Sequence, residues 1–181
     1  MLEIKVPAGE QWDETRQVFV YTEECTLQLE HSLVSLSKWE SKWHKPFNTR
    51  DRKTPEETID YVRCMTLTPD VDPSVYSCLT NENIDAINKY IEDSMTATRF
   101  SKDINNGKSS SEQITAELIY YWMIAFQIPF ECQYWHLNRL LTLIKVCNIK
   151  NQPPKKMGKR ELMSRNAALN AARRKQYNTR G

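Results

Sequence analysis

Apolar and polar positions alternate along the first thirty residues and then recur at three- and four-residue steps, so the pattern predicts a small sheet followed by helices. Leu2, Ile4 and Val6 alternate with Glu3 and Lys5, and Pro7-Ala8-Gly9 breaks the run. Val18 to Tyr21 is short and rich in strand formers, and Thr26, Gln28 and Glu30 alternate with Leu27 and Leu29. The expectation is an antiparallel sheet of two or three strands, which is marginal unless something packs on its apolar face.

The helices that follow carry their own start signals. Ser32 to Trp43 places Leu33, Leu36, Trp39 or Glu40, and Trp43 on one stripe before Lys45-Pro46. Thr54-Pro55-Glu56-Glu57 combines a cap, a proline at the first helical position and acids in the first turn, and it opens a helix that buries Ile59, Val62 and Met65. Asp72-Pro73 starts a short helical segment, and Thr80 caps another with Ile84, Ile87 and Ile91. Asp103 to Ser110 reads as an exposed loop. A central helix is expected from Ser111 to about Gln127, ended or kinked by Pro129, and a further one from Glu131 to Ile149. Pro153-Pro154 stops regular structure, and Met157 to Tyr177 is a weakly amphipathic helix with a thin seam that includes Leu162 and Leu169.

The fold class is therefore α+β and mostly α: a small N-terminal sheet (residues 1–31), a helical bundle (32–150), and a basic linker with a separate C-terminal helical arm (151–181). Charge supports that division. The chain of 181 residues has a formal net charge of +2, yet residues 151–181 hold nine basic side chains against Glu161 alone, so the arm carries +8 and residues 1–150 carry −6. An acidic body with a basic extension points to a partner, or to an arm that folds back on its own body.

Candidate chemistry is sparse. The apolar run from Leu118 to Phe130 falls short of the roughly 18 residues that span a bilayer, so no membrane partner is expected. The acidic N-terminus has no leader-like apolar run, which points to a cytoplasmic compartment. Five cysteines, Cys25, Cys64, Cys78, Cys132 and Cys147, are widely spread and read as reduced, mostly buried thiols. Cys132 and His136 share a helix face, but no second pair with zinc-ligand spacing accompanies them. Cys25 with His31 offers a nucleophile and base without an adjacent glycine for an oxyanion hole. Four glycines cannot write a phosphate-binding loop. The chain is expected to be no enzyme and to take no cofactor or metal.

The lysines beside Trp39 and Trp43 invite a nucleic-acid reading, although a buried aromatic stripe with solvated lysines explains the same spacing. The basic arm would bind phosphates with a steep salt dependence and no visible base readout.

Several blocks resemble proteins encoded near the tail genes of long-tailed bacteriophages: Leu29 to Glu40, Trp122-Met123-Ile124, Trp135 to Leu141, and Arg165 to Asn170 with Ala171-Ala172-Arg173-Arg174. The nearest family is the tail assembly chaperones. The resemblance implies a non-enzymatic, mostly helical protein that keeps the tape measure protein soluble while tail tube subunits polymerise around it, in the cytoplasm of the infected host. A homo-oligomer is compatible with it. On this reading the partner-binding residues are Trp39, Trp43, Lys155, Lys156, Arg160, Arg165, Leu169, Arg173 and Arg174. The alternatives are a structural virion subunit, in the tail or the head-to-tail connector, using the arm for subunit contacts, and a small nucleic-acid-binding protein.

Overall fold

The computed structural model describes residues 1–13, 17–48, 53–100, 113–152 and 158–179. Its first elements form one antiparallel ribbon in two halves. β1 (Leu2–Val6) pairs with β4 (Cys25–Leu29), and β2 (Gly9–Asp13) pairs with β3 (Val18–Thr22). The partner positions add to the same total in both ladders, from Leu2 opposite Leu29 to Asp13 opposite Val18, so the register runs unchanged through the break. Pro7 accounts for the interruption, because it has no N–H to give to the ladder. A strand at Gly9–Asp13 was not among the sequence expectations.

Helices cover the inner half of the ribbon. α1 (Leu33–Trp43) starts at Ser32, whose Oγ accepts from the Ser35 N–H. α2 (Pro55–Met65) has the capping box its sequence announces, with Thr54 and Glu57 each accepting from the other's backbone N–H. A 3₁₀ turn, Pro73–Cys78, begins at Asp72, and α3 (Asn81–Glu92) begins at Thr80. The chain leaving α2 runs beside β4: Glu30 N–H donates to the Met65 carbonyl at 2.9 Å and Leu67 N–H to that of Gln28 at 2.7 Å.

α4 (Ala116–Ala125) starts at Thr115, a turn later than the expected Ser111. The loop expected at 103–110 lies outside the described residues. α4 also ends before Pro129 can act. Gln127 takes a left-handed conformation (φ 54°), its N–H donates to the Ile124 carbonyl, and Ile128 N–H donates to that of Met123 at 2.8 Å. That is a Schellman ending, with Met123 and Ile128 both buried as its apolar contact. The segment expected to be one helix from Glu131 is divided: a 3₁₀ turn at Phe130–Tyr134 precedes α5 (Leu137–Asn151).

Two hydrophobic clusters result. Ile4, Val6, Leu27 and Leu29 of the ribbon pack with Trp39, Tyr61, Val62, Met65, Tyr76, Ile87 and Tyr90. Leu33 and Leu36 pack with Ala116, Ile119, Met123, Leu137, Leu140 and Ile144. α1 serves both clusters from different faces. Its Glu40, buried, accepts from Phe47 N–H with Oε1 and from Ala116 N–H with Oε2, each at 2.7 Å, and so ties the end of α1 to the start of α4. The positive end of the α4 dipole favours that carboxylate.

The chain divides into two compact units, Met1–Asn148 and Ile149–Gly181. The second holds α6 (Lys159–Tyr177), whose residues are exposed wherever their side chains are described. The protein is α+β and mostly helical.

Candidate interaction surfaces

The tryptophans named as partner contacts are built into the first core. Trp39 has no exposed surface, and its indole N–H donates to the Glu57 carbonyl at 2.9 Å. It cannot meet a partner in this fold, contrary to the expectation from the sequence: the stripe it begins points into the body. Trp43 is half-buried and donates to Asp60 Oδ2 at 2.9 Å.

The neighbouring lysines are paired at home. Lys42 bridges to Asp60 and Lys45 to Glu57. The hydrogen bond from Lys45, then that from the Thr54 backbone, holds the Glu57 carboxyl below its ordinary range. For Asp60 burial pushes upward, but the hydrogen bonds from Lys42 and Trp43 outweigh it, leaving the carboxyl lowered. Cations that already face carboxylates of the same chain are poorly placed to bind phosphates.

Behind the ribbon lies a buried polar seam that sequence reasoning did not find. His31 Nδ1 lies 2.6 Å from the Tyr61 hydroxyl, and the His31 and His136 rings stack edge to face at 5.1 Å. His136 Nε2 lies 3.0 Å from the Tyr90 carbonyl, which can only accept, so Nε2 carries the proton. Its Nδ1 then accepts from Asn138 N–H at 3.3 Å, which makes His136 the cap of α5. The Tyr90 hydroxyl donates to Glu30 Oε1 at 2.7 Å. Burial, and secondarily the neighbouring imidazole of His136, push His31 down to about 4.

The two Cys-His candidates meet this seam. Both ring nitrogens of His136 are occupied by hydrogen bonds, and the Cys132 thiol is buried and pushed up by that burial, then by Glu131. No group of three metal-ligating side chains occurs among the described residues. His31 is engaged with Tyr61, and Cys25 sits in the ladder opposite Val6. Every buried side-chain polar atom among the described residues has a hydrogen-bond partner.

Among the described residues of the body, two exposed patches combine apolar and aromatic side chains. On the outer half of the ribbon, Trp12 packs edge to face on Phe19 at 4.9 Å, and Trp12, Phe19 and Tyr21 remain 51%, 56% and 75% exposed. On α4 and the turn after it, Tyr121, Ile124, Phe130 and Tyr134 are exposed. Trp122 of the same helix and Phe126 just after it line an apolar groove of about 390 Å³ with Ile114, Leu141 and Ile144. The signal for the first patch was in the register: once Ile4 is opposite Leu27, continuation sets Trp12 opposite Phe19. Nothing in the sequence separates Tyr121 and Ile124 from the core residues of α4, because they are the same residue types.

α6 presents the predicted seam and charge. Leu162 and Leu169 lie two turns apart on one face, flanked by Arg165 and Arg173. Arg160, Leu169, Arg173 and Arg174 are exposed; Arg165 is exposed and holds an interaction of its own. Lys155 and Lys156 lie outside the described residues. Among the described residues no helix is long and apolar enough to cross a membrane. No family of known proteins, no curated protein and no solved structure matches this chain.

Proposed function

We propose that the protein is a non-enzymatic assembly chaperone of long-tailed bacteriophages that holds apolar helical segments of the tape measure protein, and hands them to tail tube subunits, in the cytoplasm of the infected host. The observation that carries this reading is the uncovered face of α4, with the apolar groove beside it. A tape measure protein would be long and helical, with apolar stripes that aggregate unless covered. A groove lined by Trp122, Phe126, Leu141 and Ile144 suits such a stripe, by the helix-in-groove mode. The basic arm adds a second contact with a charge opposite to the body's, and the sequence blocks that resemble tail assembly chaperones supply the biological setting.

Co-expression with the tape measure protein of the same phage tests the reading. The full chain should keep the tape measure protein in the soluble fraction, and Tyr121→Ser with Ile124→Ser should lose that effect while the chain itself stays folded. An insoluble tape measure protein with the unaltered chain present would sink the proposal. The exposed arm also fits a subunit of the finished particle. Mass spectrometry separates the two: abundance in the lysate with absence from purified virions supports the chaperone, and stoichiometric retention supports the structural subunit.

A further inference from the structure

We infer that the outer half of the ribbon is the docking site for the basic helix α6 of a second copy of this chain. The inference stands whether or not the protein serves a tape measure protein.

The ribbon's outer half is held at its base and bare at its tip. Thr22 is buried and donates through Oγ1 to Ser74 Oγ at 2.9 Å, and Gly9 lies so close to Cys78 that an added Cβ would come 2.6 Å from its Sγ. Beyond this anchor, Trp12, Phe19 and Tyr21 share one side of the outer ladder, opposite to the side on which Gly9 and Thr22 meet the body. A two-stranded ribbon is marginal when nothing covers its apolar face.

Charge selects the occupant. Residues 9–24 contain five acids and one base, so most of the body's excess negative charge sits in this short segment. Glu10, Glu23 and Glu24 form no ion pair among the described residues. The surface that matches an acidic, aromatic ribbon is a basic helix with a narrow apolar seam, and the chain carries one. α6 exposes Leu162 and Leu169 with Arg173 beside them, and Arg160, Arg173 and Arg174 form no ion pair among the described residues. Leu162 and Leu169 are about 10 Å apart along the helix, and Phe19 and Tyr21 about 7 Å apart along the strand, so one seam spans the aromatic row. Arginine also stacks on exposed aromatic rings.

A chain that offers one arm and one ribbon makes a heterologous contact, which propagates as a ring or an open chain of copies. So small and polar an interface would hold with a Kd on the order of 1–100 μM.

Sedimentation velocity of the full chain over a concentration series tests this, with circular dichroism to confirm that each variant is folded. The expected result is association that grows with concentration and weakens at least about tenfold when salt is raised from about 0.05 to 0.5 M. Phe19→Ser with Tyr21→Ser, and separately Arg173→Glu with Arg174→Glu, should each leave the chain monomeric. Mixing the two variants should restore a 1:1 dimer and nothing larger, because each keeps one intact half of the contact. A monomer at all concentrations with α6 protected from protease would mean that the arm covers its own ribbon, and would overturn the inference. So would a monomer with α6 cleaved, or an oligomer that survives the α6 substitutions.

Discussion

The two halves of the N-terminal ribbon share one register, and they meet opposite fates. In the inner half Ile4, Val6, Leu27 and Leu29 are buried beneath α2, α3 and the 3₁₀ turn. In the outer half one side of the ribbon carries larger apolar rings and leaves them in water. Alternation thus settles which side of a strand is apolar, and the elements that arrive later in the chain settle whether that side is a core or a surface. The difference is one of cover, and it is a difference that substitution can measure.

The largest effect should come from the inner half. Leu27→Ala removes a side chain with no exposed surface and should cost about 2–5 kcal/mol of unfolding free energy, whereas Phe19→Ala in the outer half should cost under about 1 kcal/mol. Urea unfolding of the two variants checks this, and equal losses would erase the contrast between the halves.

Acid should also single out the inner half, through His31, which follows β4 by two residues. Its folded pKa of about 4 lies below the ordinary histidine value, so the unfolded chain binds the extra proton first. Stability is then complete above about pH 6.5 and falls as the pH drops towards 4, by about 3 kcal/mol in total. Glu57 and Asp60, both lowered, add losses only further into acid, so the upper part of the window belongs to the histidine. The groups that face it are Tyr61 on α2, by hydrogen bond and ring contact, and His136 before α5, by ring contact. Urea midpoints at pH 7, 6 and 5 should decline for the parent and stay nearly level for His31→Gln; a parallel decline in both would assign the acid sensitivity elsewhere.

The junction between the halves gives a smaller effect. Gly9→Ala drives a Cβ into Cys78 Sγ and should cost about 1–3 kcal/mol, and adding Cys78→Ala should recover most of it. A double variant no better than Gly9→Ala alone would show that the close approach is not what fixes glycine there.

How much of this was legible follows from where the signals lie. Ser32, Thr54, Asp72 and Thr80 are local caps, and each starts its helix where the sequence places it. The start of α4 was misplaced because the serine run up to Ser111 resembles a cap, while Thr115 makes the hydrogen bond, to Leu118 N–H. β2 was missed because Pro7-Ala8-Gly9 reads as the end of a strand, and only cross-strand register reveals that the ribbon resumes. The histidine seam joins residues far apart in the chain, so no local pattern could announce it. Trp39 shows the converse: its helical spacing announced a buried stripe, and its neighbouring lysines suggested a surface that its own acids had already claimed.

Glu40 is a single carboxylate that closes two distant pieces of chain, and its consequence is kinetic. The amide protons of Phe47 and Ala116 each end on one of its oxygens, so a rotation of this one side chain releases both. In hydrogen exchange the two amides should open as one unit, and Glu40→Gln, which keeps one acceptor and turns the other into a donor, should uncouple them. One side chain would then couple the opening of the ends of α1 and α4.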